Sequence, residues 1–358
     1  MTKLKEHKPS KIEALKAMTP ADRRRAIFDG IMNNAMFIII ALVIIYVAIK
    51  NPRFLSIPSL VNIISLTAAK LPIALGVGGC IILAGTDISA GRQVGLAACI
   101  SAGLQLTTNK LFPGLQVLPI PVVLLCVLVA CAMVGFVNGF FMAKFKLHPF
   151  IVTLSTQLIV YGLVLLFMQL GTNGGQTLSG MSEGYRNFII KPLLTLKTSS
   201  GPVTVPRYVL YSTIITAIVW VIWNKTAFGK NMYAVGSNEE AANVSGVNVF
   251  LTIILVFVLA GAMYGVTGFI EGARIASCSA NTGLNYESDA IAACVIGGIS
   301  FVGGIGKVSG AIIGVLLLQI IFAGLNFLSV DANYLYIVKG LIILIACSID
   351  MRKYLVRK

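Results

Sequence analysis

Long apolar stretches recur along this chain, and they decide what it can fold into. The run AMFIIIALVIIYVAI, residues 35–49, is typical, because it contains no charge and does not alternate between apolar and polar residues. A hydrocarbon core about 30 Å thick requires about 20 apolar residues per helix. Strands of a membrane β-barrel would alternate instead. The sequence therefore predicts an all-α, polytopic membrane helical bundle.

About ten transmembrane helices are expected in this bundle. They lie near residues 31–49, 60–84, 93–108, 119–143, 150–170, 208–224, 248–270, 288–302, 308–327 and 333–349. The third and eighth stretches are short for a full span, and both adjoin glycine-rich segments, so we expect broken helices there. The composition agrees with a membrane protein, since 57% of the residues are hydrophobic and 11% are charged.

Basic residues gather at both ends of the chain. Residues 1–30 contain eight Lys and Arg, and the last seven residues contain four. The positive-inside rule then places both termini in the cytosol, which ten spans allow. We expect a basic cytosolic extension, 1–30, and a transmembrane domain, 31–358. Attraction to membrane lipid explains the net charge of +15, so no nucleic-acid partner is predicted.

Two connecting segments are longer than a tight turn. Residues 171–207 are rich in Gly, Ser, Thr and Pro. Five predicted spans separate them from the cytosolic N-terminus, and this odd number places them outside the cell. This loop either packs over the mouth of the bundle or offers a docking surface to an external partner. Residues 225–247 follow the sixth predicted span, so they are expected on the cytosolic side.

No set of catalytic residues is present in the sequence. The chain has two histidines, and it lacks the G-x-S-x-G and H-E-x-x-H patterns. GGIGKVSG, residues 303–310, resembles a phosphate loop but fails the G-x-x-x-x-G-K-[ST] spacing. The seven cysteines lack C-x-x-C spacing and are expected in the core. The sequence therefore predicts a protein that is no enzyme and has no cofactor, metal or nucleotide site.

The segment LAGTDISAGRQVG, residues 83–95, breaks the apolar pattern with three glycines. Irregular backbone near membrane depth is tolerated where it is buried or lines a water-filled cavity. Its candidate pathway residues are Gly85, Asp87, Ser89, Gly91 and Arg92. Asp87 is the one acid we expect deep in the bundle, and it either lines the pathway, pairs with Arg92 or caps a broken helix. A carrier driven by a proton or sodium gradient usually needs several acids deep in the bundle. A single deep acid therefore argues against a carrier of that class.

The segment IGGISFVGGIGK, residues 296–307, is the second pathway candidate by the same reasoning. Its candidate residues are Gly297 and Gly298. The alternative interpretation is that these glycines allow close helix packing.

A short acidic helix is predicted within GSNEEAANVSGV, residues 236–247. Ser237 and Glu240 have the spacing of a capping box, which would begin a helix of about two turns at 237. Glu239 suits the positive end of the helix dipole, and Gly246 can end the helix in the left-handed conformation. So short a helix needs a surface to dock against, and its alanines would present a small-residue face to a partner.

EAANVSG, residues 240–246, resembles the E-A-A-x-x-x-G cytoplasmic loop of ABC-importer permeases. GTDISAGRQVGLAA, NPRFLS, NKTAFGKNMYAVGSNEEAANVSGVNV and DAIAACVIGGISFVGG are further stretches similar to the ribose/arabinose/galactose permease family. The resemblance runs from about residue 31 to the C-terminus, and its coupling region and GTDISAGR segment are the most specific parts.

This resemblance implies a bacterial inner-membrane complex. It would contain two copies of the permease, a cytosolic ABC ATPase and a periplasmic sugar-binding protein. It also implies ATPase coupling through Ser237, Glu239, Glu240, Ala241, Ala242 and Gly246, and a pathway near Asp87. The implied substrate is galactose, methyl galactoside or a similar monosaccharide, with ribose as an alternative. A secondary transporter and a non-transporting membrane scaffold remain the alternatives of a different class.

Overall fold

The computed structural model describes Thr19, Arg23 and residues 35–171, 173–198 and 201–355. The predicted basic extension 1–30 therefore lies outside the described residues, apart from Thr19 and Arg23. The last basic residues, Arg357 and Lys358, lie outside them as well.

Helices form most of the described chain. They are α1 (Ala35–Lys50), α2 (Ile57–Ile82), α3 (Ala90–Gln105), α4 (Ile120–Phe145), α5 (Pro149–Met168), α6 (Glu183–Ile190), α7 (Tyr208–Lys225), α8 (Ala227–Ser237), α9 (Glu239–Val244), α10 (Val249–Ile275), α11 (Tyr286–Ile296), α12 (Val308–Phe327) and α13 (Ala332–Leu355). A short 3-10 helix, Pro52–Leu55, precedes α2. The strands are β1 (Leu178–Ser179), β2 (Pro192–Thr198), β3 (Gly201–Pro206) and β4 (Ser277–Cys278).

Each of the ten predicted spans overlaps a helix of this structure. Six helices of the described chain, α2, α4, α5, α7, α10 and α12, are long and apolar enough to cross a membrane. The short predicted spans correspond to α3 and α11, which have 16 and 11 residues. A polytopic membrane bundle is therefore confirmed, and the number ten stays a prediction.

Helices α2 and α10 form the centre of the bundle. Their apolar windows are mostly buried, whereas α4, α5 and α7 keep most of theirs on the outside of the chain. Large apolar side chains such as Leu125 and Met133 on α4 are more than half exposed. Such a surface suits lipid or another apolar partner, because it would be unfavourable in water.

Helices α4 and α10 approach each other closely through glycine. A Cβ added at Gly135 would overlap the carbonyl oxygen of Phe257, and one added at Gly261 would overlap that of Cys131. Small residues allow this backbone approach, which strengthens the van der Waals packing that holds membrane helices together.

The segment 171–207 is folded, so the all-α prediction is wrong in this region. Strand β1 pairs antiparallel with β4, with Leu178 opposite Cys278. Strands β2 and β3 form an antiparallel hairpin, with Thr195 opposite Thr204. The hairpin satisfies backbone hydrogen bonds that an irregular loop would leave to water. We call the end of the bundle that carries this hairpin the hairpin end, and the opposite end the α9 end.

Candidate coupling and translocation sites

The acidic helix α9 exists, but its N-cap differs from the prediction. Asn238 is the cap: its backbone is extended, with φ −164° and ψ 109°, and its Oδ1 accepts a hydrogen bond from the Ala241 N–H at 2.9 Å. Ser237 is instead the last residue of α8, and its hydroxyl donates to the Tyr233 carbonyl at 2.8 Å. The predicted capping box of Ser237 and Glu240 is therefore wrong, because helix α8 already uses Ser237.

The far end of α9 agrees with the prediction. Gly246 has a φ of +84°, in the left-handed region that favours glycine. Its N–H donates to the Asn243 carbonyl at 3.0 Å, and the Val247 N–H donates to the Ala242 carbonyl at 3.0 Å. These bonds satisfy carbonyls that the end of the helix would otherwise leave free. The chain then turns directly into α10.

The two alanines of α9 face different ways, which corrects the expectation of a shared docking face. Ala242 is 4% exposed and packs inward, whereas Ala241 is exposed together with Glu239 and Glu240. Ala242 therefore anchors α9 to the bundle and has little surface to offer a partner. The sequence carries no signal for this division, because it depends on how the helix lies on its own protein.

Val244 is a residue that the sequence reasoning missed. It is 89% exposed, a large value for an apolar side chain. An isolated exposed valine is ordinary, but this one ends a short helix that projects from the α9 end. Its signal in the sequence is a β-branched apolar residue within the polar stretch NEEAANVSG.

A groove of about 510 Å³ runs beside α9. Glu239, Glu240 and Asn243 line one side, and Lys146 at the end of α4 lines another, together with residues 246–250. The two glutamates and the lysine give this groove charges of both signs. α9 thus borders a concave, polar surface that is open to a partner at the α9 end.

Asp87 lies in the interrupted segment 83–89 between α2 and α3, and it binds Ser89, the N-cap residue of α3. Its Oδ1 accepts hydrogen bonds from the Ser89 N–H at 2.9 Å and from the Ser89 hydroxyl at 2.6 Å. Both side chains are fully buried. The alternative of an Asp87–Arg92 ion pair is wrong, because the Arg92 guanidinium donates to the Ala280 carbonyl at 3.0 Å and stacks on Tyr161 at 4.2 Å.

A polar network around Ser89 connects three helices. The Ser89 hydroxyl oxygen accepts from the Gln93 amide on α3 at 2.9 Å and from the Asn138 amide on α4 at 3.1 Å. The Thr156 hydroxyl on α5 donates to Asn138 Oδ1 at 2.6 Å. Hydrogen-bonded networks of this kind fix a unique arrangement when buried in a low-dielectric interior. The network therefore holds α3, α4 and α5 in register.

The glycines of this segment lie in close contacts. Gly85 packs near Pro149, which a Cβ at Gly85 would meet at 3.5 Å. A Cβ at Gly91 would overlap the Glu287 carboxylate and the Gly283 carbonyl. Gly91 thus allows the start of α3 to pack against the segment before α11.

Asp87 is not alone as a buried acid, which corrects another expectation. Glu271 is fully buried, and Glu287 and Asp289 are each 8% exposed. The Arg274 guanidinium donates to Glu271 at 2.7 Å. Burial of these acids is hard to predict from the sequence, because they lie at the ends of apolar stretches. Glu271 directly follows the predicted span 248–270, and Glu287 and Asp289 lie in the first turn of α11.

Asp289 is shared by two lysines from different helices. Lys339 on α13 lies 2.8 Å from Asp289 Oδ1, and Lys70 on α2 lies 3.9 Å from Oδ2. The Lys70 ammonium also lies 2.8 Å from the centre of the Tyr286 ring. Pairing of this kind is what makes charge tolerable inside a bundle. One carboxylate therefore ties α2, α11 and α13 together.

The second glycine-rich candidate meets the first. A Cβ at Gly303 would lie 2.8 Å from the Ala84 Cβ, at the start of the interrupted segment. Gly298 has a φ of +83°, while a Cβ at Gly297 would overlap the Gly310 carbonyl. Gly297 and Gly298 also line a cavity of about 430 Å³ that includes Tyr233 and Lys307. Gly297 therefore allows close packing, whereas a Cβ at Gly298 would meet no atom within 4 Å, and both glycines line a concave surface.

Comparisons with known proteins agree with the resemblance found in the sequence. Residues 59–347 match a family described as branched-chain amino acid transport system / permease component. The chain is 41% identical over 334 residues to a galactose/methyl galactoside import permease of Haemophilus influenzae, covering 92% of this chain and 97% of that protein. No solved structure matches.

Two further relatives also match over nearly their whole length. The galactose/methyl galactoside import permease of Escherichia coli is 39% identical over 338 residues, covering 94% of this chain and 98% of that protein. The ribose import permease of Bacillus subtilis is 34% identical over 339 residues, covering 93% and 97%. The chain therefore belongs to the branched-chain amino acid transport system / permease component family, and it is a membrane permease.

Proposed function

We propose that this chain is the membrane-spanning permease subunit of an ABC importer that carries galactose, methyl galactoside or a similar monosaccharide into the cell. ATP would be hydrolysed by a separate cytosolic subunit. The names of the 39% and 41% identical relatives support the substrate, and the 34% identical ribose permease supports a pentose as the nearest alternative.

The observation that carries this proposal is the geometry of α9. It is a capped helix of six residues at one end of a membrane bundle, closed by a left-handed glycine and ending in the exposed Val244. A helix this short is unstable alone, and its own bundle supports it on the side of Ala242. We assign its exposed side, with Glu239, Glu240 and Val244, to a cleft of the ATPase subunit.

The residues of the predicted coupling set then differ in role according to where they lie on α9. Glu239, Glu240 and Ala241 are exposed and would contact the ATPase beside Val244. Ala242 anchors the helix to the bundle, and Gly246 sets the direction in which the chain leaves the helix. Ser237 acts indirectly, by ending α8.

The proposed topology has ten crossings with both termini in the cytosol of a bacterium, in the inner membrane. The loop 225–247 then faces the cytosol and the loop 171–207 faces the periplasm, which makes the α9 end the cytosolic end. Helices α3 and α11 would cross as broken spans, because 16 and 11 residues are too few for a full crossing. The domain division at residue 30 follows the end of the basic extension.

The proposed assembly has two copies of this chain. A two-fold ATPase needs two coupling helices, and each chain supplies one, so a symmetric homodimer satisfies the requirement. A periplasmic sugar-binding protein would deliver the substrate at the hairpin end. Closing of the ATPase modules would bring the two α9 helices together, and the bundles would tilt to give alternating access.

Reconstitution tests this function. We expect proteoliposomes containing the permease, its ATPase and its sugar-binding protein to accumulate labelled galactose only with ATP, and to continue after ionophores collapse the ion gradients. Competition by methyl galactoside and ribose measures the substrate range. Uptake by the permease alone, or uptake that stops with the ion gradient, would contradict the proposal and favour the secondary transporter.

Replacing Val244 with aspartate should weaken binding of the ATPase subunit. A charge would enter a contact that we expect to be apolar, and loss of one such contact weakens affinity by about tenfold. Affinity between the detergent-solubilised permease and its ATPase measures the effect. The control is Leu193→Asp, which adds the same charge to the β2 strand at the hairpin end and should leave the affinity unchanged. Equal affinity for both variants and the original protein would remove Val244 from the contact.

A further inference from the structure

Residues 297–306, which join α11 to α12, form a turn that contacts the coupling region directly; we call them the glycine turn. The Tyr233 hydroxyl on α8 donates to the Gly306 carbonyl at 3.0 Å. A Cβ at Gly236, also on α8, would lie 3.0 Å from the Gly304 nitrogen. Since α8 ends one residue before the cap of α9, the glycine turn packs on the helix that carries α9.

The glycine turn also binds the end of α2. The Gly304 N–H donates to the carbonyl of Ile82, the last residue of α2, at 2.8 Å. A Cβ at Gly236 would overlap the same carbonyl. Three backbone segments therefore meet at Ile82, directly before the interrupted segment that contains Asp87.

The C-terminal helix provides a third attachment. Asp350 on α13 accepts a hydrogen bond from the Ser300 hydroxyl at 2.8 Å and from the Phe301 N–H at 3.3 Å. This carboxylate therefore holds the glycine turn to α13.

The turn can approach its neighbours this closely because it is built from glycine. Gly303 and Gly304 have φ values of +87° and +68°. A Cβ at Gly303 would overlap the Gly236 carbonyl, and one at Gly304 would overlap the Ser237 hydroxyl. Backbone contacts have no rotamers through which to relax, and packed interiors transmit displacement because they are nearly incompressible. A shift of α8 must therefore move the turn with it.

We infer that the glycine turn is the mechanical link between the coupling helix and the membrane helices. Displacement of α9 passes through α8 to the turn, and from the turn to the end of α2 and to α13. Tyr233, Gly236 and Asp350 are positioning residues in this link, and none of them needs to contact sugar or ATPase. The inference rests on the proposed function.

The test compares sugar transported per ATP hydrolysed in the complete reconstituted complex. In Tyr233→Phe, which keeps the ring and loses the hydroxyl, we expect this ratio to fall at least threefold while the ATPase rate and the amount of complex stay near the original values. Asp350→Asn should act in the same direction. Tyr334→Phe is the control, because Tyr334 is 60% exposed and lies at the far end of α13, and its ratio should not change.

A second pair of variants tests the backbone contact. Gly236→Ala should lower the ratio further than Tyr233→Phe, whereas Gly162→Ala on α5, where an added Cβ meets no atom within 4 Å, should not change it. If Gly236→Ala fails to insert, Tyr233→Phe and Asp350→Asn still decide the question.

An unchanged ratio in Tyr233→Phe and Asp350→Asn would overturn the inference. It would also be overturned if uptake and ATP hydrolysis fell together in proportion to the complex recovered, since that is the result of a purely structural role. Failure of the proposed function gives a different result: the original complex would show no ATP-dependent uptake at all.

Discussion

Replacing Gly246 with valine is expected to reduce ATP-driven sugar uptake by at least about tenfold while the protein still inserts into the membrane. Gly246 has a φ of +84°, and a left-handed conformation costs about 1–2 kcal/mol for a residue with a Cβ. A β-branched residue is disfavoured there still more strongly. The chain would leave this conformation, and the end of α9 would be displaced from its position on the bundle.

The effect at Gly246 should be conformational only. A Cβ at this position would meet no atom within 4 Å, so valine creates no clash. Gly246→Asn is the matched control, because asparagine tolerates the left-handed region, and we expect its uptake to stay within about twofold of the original. Uptake per inserted molecule in proteoliposomes measures both variants. Normal uptake by Gly246→Val would show that the exit of α9 does not control coupling.

Replacing Asp289 with asparagine is expected to destabilise the bundle strongly. The change removes the carboxylate that Lys70 and Lys339 share and leaves both ammonium groups in a largely buried site. Breaking a buried pair on one side costs about 3–5 kcal/mol. We expect the lower end of this range, because the two lysine side chains are 15% and 20% exposed.

Thermal unfolding of the detergent-solubilised protein measures the effect of Asp289→Asn. A thiol-reactive dye can report unfolding, since Cys80, Cys131 and Cys294 are free and buried. We expect the midpoint to fall by about 4 °C, because the unfolding entropy of a chain of this length converts about 3 kcal/mol into a shift of that size. Adding Lys339→Met to Asp289→Asn should recover part of the loss, because one unpaired charge is then removed. A midpoint equal to that of the original protein would show that the shared carboxylate contributes little.

Much of the fold was predictable because it depends on short stretches of sequence. A span needs a contiguous apolar run, so helices such as α4 and α12 lie close to the predicted 119–143 and 308–327. The left-handed Gly246 was predictable for the same reason, since glycine favours that conformation wherever a helix must end. The chain's membership of a permease family likewise followed from motifs that are continuous in sequence.

Errors arose where neighbouring residues compete for one role. Ser237 and Asn238 are adjacent and are both good N-caps, and only the end of α8 decides between them. The folded loop 171–207 is a related case. Its strand β1 is held by Ser277 and Cys278, nearly a hundred residues away, and a local reading of the loop cannot include that partner.

The sequence by itself determined that this chain belongs in a membrane, where its long apolar helices lie, and that a short capped helix lies between two of them. Only the tertiary structure decided which charges meet: Arg92 binds the Ala280 carbonyl instead of Asp87, and Lys339 and Lys70 converge on Asp289. It also decided that Ala242 faces inward and that the glycine turn touches Ile82. The physical reason is separation along the chain. Burial in lipid depends on the hydropathy of neighbouring residues, whereas a contact between residues far apart in sequence exists only after the helices have packed.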